Sequence, residues 1–283
     1  MKVLPKELLQ VFKNKLLTSI IVATVTLPFS VFAEIKLSGE IKQGGYVLGK
    51  VTPGSTVTLN GNEIRVSAKG DFVFGFGRDD EKEYTLISTD STGKTSQKTI
   101  TPESREFNIQ RVKGIKKSIM KPNPEAVARA KKDSAQVKEA RKTSSDLLAF
   151  STGFVPPIKG IITGVYGSQR YYNGVPKSPH YGLDYAGKTG DPVKAPADGV
   201  VTLFVPDMFY SGGTMIIDHG HGISSTFLHL SKSYVKQGDK VKQGEVVAAV
   251  GASGRATGPH LDWRINWFNV RIDPALVLKV KPL

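Results

Sequence analysis

Apolar and polar residues alternate through residues 55–66 on both sides of Asn60-Gly61, a dipeptide that tolerates positive φ, and this predicts a β-hairpin. Short β-rich runs follow at 71–76 and 83–88, so residues 34–110 are expected to form a small β domain. The pattern then changes. Asn123 as N-cap, Pro124 at the first helical position and Glu125 in the first turn predict a helix from 123 to about 143. Its apolar positions, Ala126, Val127, Ala130, Val137 and Ala140, are small and form only a weak stripe, the mark of a solvated linker helix. Beyond it the period returns to two. Residues 225–230 read as a strand that ends near His229, and in 257–263 the alternation sends His260 and Asp262 to one face while Leu261 points to the core. The expected fold class is all-β, with two β domains joined by a helical linker over 111–150.

Composition narrows the functions. Of 283 residues, 39% are hydrophobic and 23% charged, which excludes global disorder and a polytopic membrane protein. The chain has no cysteine, so thiol nucleophiles, disulfides and Cys zinc sites are excluded and any metal must be held by His and carboxylate. Residues 1–33 read as a cleavable signal peptide. Lys2, Lys6, Lys13 and Lys15 precede an apolar run over 16–29, and Val31-Phe32-Ala33 offers small residues for cleavage after Ala33. That run is shorter than the roughly 20 residues a membrane span needs, which predicts an exported, periplasmic or extracellular protein.

The net charge of +14 predicts an anionic partner, and more than half of it falls within residues 111–142. Arg129, Lys131, Lys132, Lys138, Arg141 and Lys142 could tether the helix to an anionic membrane or wall polymer. Nucleic acid is not expected, because the segment has no interleaved aromatic residues for stacking.

The chemistry is concentrated near the C-terminus. All five histidines, His180, His219, His221, His229 and His260, lie between 180 and 260. His180 and Asp184, four apart in a Gly- and β-rich segment, can converge on one ion where a strand enters a turn, and Asp262 shares a strand face with His260. The segment 49–61 resembles small immunoglobulin-like β-sandwich modules of bacterial surface proteins, which implies a spacer or wall-binding role for 34–110.

Three segments, His180-x-x-x-Asp184, Thr226-Phe-Leu-His229-Leu-Ser231 and Gly254-Arg-Ala-Thr-Gly-Pro-His260-Leu261, together resemble the LytM or lysostaphin-type zinc endopeptidases of peptidoglycan. Residues 194–200, 218–222 and 238–244 fit the same order and spacing, so the resemblance covers about 155–278 within a domain of 151–283. It implies an antiparallel β domain with a long substrate groove, Zn²⁺ as cofactor and peptidoglycan peptides as partners. It also implies His180 and Asp184 as metal ligands, with His229 and His260 assisting the attacking water and stabilising the oxyanion.

The chain departs from the family at the third ligand, where Asp262 stands in place of the second histidine of the His-x-His motif. Aspartate can bind zinc, but the ion with one His and two Asp is formally neutral, which should acidify water less and open the site to Mn²⁺. On this reasoning Asp262→His should raise activity near neutrality. The competing reading pairs Asp262 with Arg264 on the same strand face. His219 and His221 fall in a glycine-rich turn, where Asp218 and His219 could line the groove.

The expected function is hydrolysis of peptidoglycan peptide cross-links by a zinc metalloendopeptidase. The alternative is a catalytically silent relative that binds peptidoglycan or activates another wall hydrolase. A biotinyl- or lipoyl-type carrier is the third reading, set aside because the hairpin region 238–250 lacks the Asp-Lys-Ala setting of a modifiable lysine.

Overall fold

The computed structural model describes residues 34–114 and 123–283; the expected signal peptide lies outside the described residues. Strands β1 (Lys36–Ser38), β2 (Tyr46–Lys50), β3 (Thr56–Leu59), β4 (Asn62–Ile64), β5 (Asp71–Gly75), β6 (Tyr84–Thr89) and β7 (Thr95–Ile100) make two antiparallel sheets, β1-β2-β5 and β4-β3-β6-β7. The predicted hairpin is β3–β4. Asn60 and Gly61 both take positive φ, 49° and 76°, as a type I′ turn requires, and Leu59 pairs with Asn62.

Strand β5 explains how this part of the chain is held. Phe72 and Phe74 point into a core with Val47, Val57 and Leu86. Val73, on the opposite face, joins Tyr46 and Leu48 in a second core shared with Phe150, Leu183, Trp263 and Ile272 from the C-terminal half. Tyr46 Oη also donates to the Phe150 carbonyl at 2.6 Å. The N-terminal strands are therefore packed onto the C-terminal domain. Strand β8 (Ile109–Val112) continues this attachment by pairing in parallel with β10 (Gln169–Tyr172), which forms a hairpin with β11 (Val175–Pro176); β9 spans Ile162–Gly164.

The remaining strands are β12 (Leu183–Ala186), β13 (Pro192–Lys194), β14 (Gly199–Met208), β15 (Gly212–Gly220), β16 (Ile223–Ser233), β17 (Lys240–Val241), β18 (Val246–Val250), β19 (His260–Trp267) and β20 (Val270–Ile272). They build one large sheet along the path β17-β14-β15-β16-β19-β12-β9, with β20 beside β19. On its core face Met215, Ile217, Phe227, Trp263 and Ile265 are fully buried. Its other face, which alternates with these positions, presents Thr226, Asp262, Arg264 and Asp184.

Helix α1 spans Pro124–Ala140. Asn123 caps it as expected, its side chain accepting from the Glu125 N–H at 2.9 Å. Val137 and Ala140 pack on Leu203, Met208 and Ile216 of the sheet. Three polar contacts fix the helix there: Asp133 accepts from the Phe209 N–H at 2.7 Å, Arg129 pairs with Asp207, and the buried Arg141 donates to Thr226 Oγ1 at 2.9 Å. The weak apolar stripe thus docks on the sheet, while Lys131, Lys132 and Lys138 remain exposed. A short helix α2 (Pro274–Val277) follows, capped by Asp273. Among the described residues no helix is long and apolar enough to cross a membrane.

Candidate metal centre

His180 sits in the loop before β12. Its backbone is held on both sides, its N–H donating to the Ser168 carbonyl and its carbonyl accepting from Gly167, each at 2.8 Å. Asp184 lies within β12 directly opposite Asp262 on β19. That register converts two segments nearly eighty residues apart into one site: ligand atoms of His180, Asp184 and Asp262 all lie within 4.8 Å of one another. The carboxylates approach the neighbouring backbone so closely that a Cβ at Gly164 would collide with Asp184, and one at Gly182 with Asp262.

The donor atoms fit a divalent cation. His180 Nε2 and Asp184 Oδ1 are buried, have no hydrogen-bond partner and face each other at 3.2 Å. Buried polar atoms rarely remain unpaired, and one nitrogen with carboxylate oxygens is a donor set that suits zinc or a harder ion. These residues open into a cavity of about 590 Å³, lined also by Thr163, Tyr172 and Lys177.

Asp262 is differently placed. It is 3% exposed, and Arg264 forks onto it, Nε donating to Oδ1 at 2.9 Å and to Oδ2 at 3.1 Å while Nη2 also reaches Oδ2. Burial opposes the charge on Asp262, but the Arg264 guanidinium outweighs it, with smaller help from His180 and His229, and holds the carboxyl below its ordinary range. The Asp262–Arg264 pairing and the clustering with His180 and Asp184 are therefore both present. A carboxylate oxygen has lone pairs for both. Arg264 also enters the local charge: with it the neutral set of one His, two Asp and a divalent ion becomes +1, the value that two His and one Asp would give.

The rings of His229 and His260 lie tilted against each other at 43°, their centroids 4.7 Å apart. His229 occupies a bulge in β16, where the register jumps from Gly213↔Leu230 to Met215↔Phe227, and its φ is 62°. Each ring anchors Nδ1 on a backbone carbonyl at 2.8 Å, Ser253 for His229 and Gly258 for His260. A carbonyl only accepts, so Nδ1 carries the proton in both rings and Nε2 is left as the free position. Burial, with His260 alongside, pushes His229 below its ordinary value despite the Ser253 carbonyl, which keeps it neutral at neutral pH.

The other two histidines are structural. His219 is fully buried in β15, with Nδ1 at 2.7 Å from the Asp198 carbonyl and Nε2 at 2.8 Å from Ser225 Oγ; burial pushes it down to about 4. His221 follows at φ 51°, bonds the Arg65 carbonyl through Nδ1 and stacks against Phe150. Asp218, held by Ser145, is also interior, so the expectation that Asp218 and His219 could line the groove is corrected. His219 continues the core face of Met215 and Ile217, while Asp218 on the opposite face is covered by Ser145, because β15 is buried on both sides. Sequence reasoning missed Arg141 and Arg271, which reach the site from the end of α1 and from β20. The one available signal was the alternation of charges in His260-Leu-Asp-Trp-Arg264, which marks a polar face on an otherwise apolar strand.

Comparisons with known proteins match the C-terminal half of the chain. The model of Peptidase family M23 matches residues 178–274, which span every residue of the cluster. A peptidoglycan DD-endopeptidase, ShyA of Vibrio cholerae, is 41% identical over 88 residues, 31% of this chain and 20% of the relative. An uncharacterized metalloprotease of Haemophilus influenzae is 38% identical over 99 residues, 35% of this chain and 21% of the relative. The matched region thus spans about a fifth to a quarter of the length of these curated relatives. A solved peptidase M23 structure from Pseudomonas aeruginosa extends the likeness, covering 84% of this chain and 95% of its own at 29% identity and a TM-score of 0.66. These matches identify residues 178–274, within the C-terminal β domain, as a Peptidase family M23 domain.

Proposed function

We propose that the chain is a metal-dependent endopeptidase that hydrolyses peptide cross-links of peptidoglycan outside the cytoplasm, with Zn²⁺ held by His180, Asp184 and Asp262. One observation carries the reading. The unpartnered His180 Nε2 and Asp184 Oδ1 converge with Asp262, and the paired rings of His229 and His260 belong to the same end of the sheet, His229 acting on the charge of Asp262. When bound, the metal would polarise the scissile carbonyl and lower the pKa of a water. The protein's own part is proton handling and orientation. Neutral His229, with Nδ1 fixed by Ser253, offers Nε2 as a proton acceptor for the attacking water and afterwards as a donor to the leaving amine. His260, held in the same tautomer by Gly258, can donate through Nε2 to developing charge on the carbonyl oxygen only in its protonated form. Arg264 orients Asp262 and withdraws part of its charge, as partners of metal-binding carboxylates do.

The test is metal content together with cleavage of cross-linked muropeptides by the full chain, before and after chelation. The expected result is one equivalent of zinc and chelator-sensitive release of uncross-linked peptides. A second reading, a silent module that binds peptidoglycan or activates another hydrolase, is favoured by the engagement of both Asp262 oxygens by Arg264. Binding to sacculi with neither metal uptake nor cleavage would select it.

A further inference from the structure

A second cavity adjoins the metal centre. It measures about 420 Å³ and lies between α1 and the polar face of the large sheet. Arg264 lines both cavities, and His229 lines this one.

The lining holds an unusual concentration of guanidinium groups. Arg264 and Thr226 are register partners on neighbouring strands, and Arg271 lies opposite Asn266, two residues beyond Arg264 on the same face. Arg141 enters from the end of α1 and is 5% exposed. Thr226 takes its Nη2, but its Nε is buried with no partner, and so is Nη1 of Arg271. Burial and the neighbouring guanidiniums oppose the charge on both side chains, bringing Arg271 down to about 10. Asp262, whose charge acts on Arg271, is occupied by Arg264, and the acidic residue of the lining, Asp133, accepts from the Phe209 N–H. Buried guanidinium groups of this kind ordinarily have an acceptor for each open N–H and an opposing charge. Here a bound ligand would supply both.

We propose that this cavity binds a free carboxylate of the peptide substrate, with Arg141, Arg264 and Arg271 as its recognition residues. The inference rests on the peptidase reading of the groove. A carboxylate is planar and presents two acceptor oxygens, matching the guanidinium fork, and the cavity volume falls within the roughly 300–1,000 Å³ of small-molecule pockets. The site would select peptides carrying a carboxylate near the scissile bond over amidated or neutral ones.

The test measures binding of N-acetyl-D-alanyl-D-alanine and of its C-terminal carboxamide to the full chain by titration calorimetry, metal-loaded and chelator-treated. The acid is expected to bind at least about tenfold more tightly than the amide in both states, equivalent to about 1.4 kcal/mol. Arg271→Gln should bring that ratio below about twofold with unchanged metal content and melting temperature. Arg141→Gln should do the same; if it fails to fold, Arg271→Gln carries the comparison. Equal binding of acid and amide, survival of the tenfold preference in Arg271→Gln, or tighter binding of inorganic phosphate than of the acid would each overturn the proposal. Muropeptide cleavage is scored separately. An Arg271-dependent preference without cleavage would keep the carboxylate site and remove the peptidase reading, whereas cleavage without the preference would do the reverse.

Discussion

Replacing Arg264 by Met isolates the relation between Asp262 and the metal. The substitution keeps an apolar stem and removes the cation that, among the described residues, pairs with the Asp262 carboxylate, which is 3% exposed. Breaking a buried ion pair by removing one partner costs about 3–5 kcal/mol, because the other charge is left uncompensated. That loss is expected in the metal-free protein. A divalent cation held by His180, Asp184 and Asp262 would restore the missing positive charge, so the loss should shrink when metal is present. At a free metal concentration of about 100 Kd, binding stabilises the wild-type fold by about 2.7 kcal/mol; each tenfold gain in affinity of the variant adds about 1.4 kcal/mol to its own stabilisation at that concentration. The assay is chemical unfolding of wild type and Arg264→Met, each with chelator and with saturating zinc. The gap between the proteins should close by about 1–3 kcal/mol on adding zinc. The double variant Asp262→Asn/Arg264→Met should regain most of the metal-free stability, because neither charge is then buried alone, and should bind metal poorly. A gap of the same size with and without zinc would refute the assignment of Asp262 as a ligand. The same pair changes the expectation for Asp262→His alone. An imidazole there leaves Arg264 without its carboxylate, so the variant should lose about 3–5 kcal/mol of stability instead of gaining activity, and only Asp262→His/Arg264→Gln should gain.

Ala at His180 or Asp184 should lower bound metal at least about tenfold, whereas His229→Ala and His260→Ala should retain metal and lose at least about a hundredfold in kcat, measured by elemental analysis and muropeptide release. Because burial depresses His229, its neutral form persists below its ordinary 6.5, so the acidic limb of kcat/KM should fall below pH 6.5 and disappear in His229→Ala; a limb above that value would contradict the assignment. His219 is neutral in the fold down to about 4, while the unfolded chain takes up its proton near 6.5. Stability is therefore lost as pH falls between these values, by about 3 kcal/mol at pH 4, and unfolding of His219→Gln should show a correspondingly shallower acid dependence. Exchanging the exposed Lys131 and Lys132 for Gln leaves the docked face of α1 intact and should weaken salt-sensitive binding to anionic vesicles or sacculi; unchanged binding would leave α1 with its packing role alone.

Local and periodic features were fully legible in the sequence. The Asn60-Gly61 turn is set by the φ those two residues accept, the start of α1 by Asn123 and Pro124, and the shared face of His260 and Asp262 by the two-residue period of a strand. The residue types of the candidate metal cluster were also readable, because the absence of cysteine left only His and carboxylate as donors. Pairings between distant segments were not. The register that sets Asp184 opposite Asp262, the bulge that turns His229 toward His260 and the docking of α1 by Arg141 depend on which surfaces meet, and no local preference specifies that. Strand β5 gives the clearest case. Its run Asp71-Phe-Val-Phe is apolar on both faces, which signals burial on both sides, but only the tertiary structure shows that the second covering layer comes from the C-terminal domain. The charge of the candidate metal centre follows the same division. The sequence supplied Asp262 in place of histidine, and the fold, by laying Arg264 across it in a low-dielectric site, decided what that exchange does to the local charge.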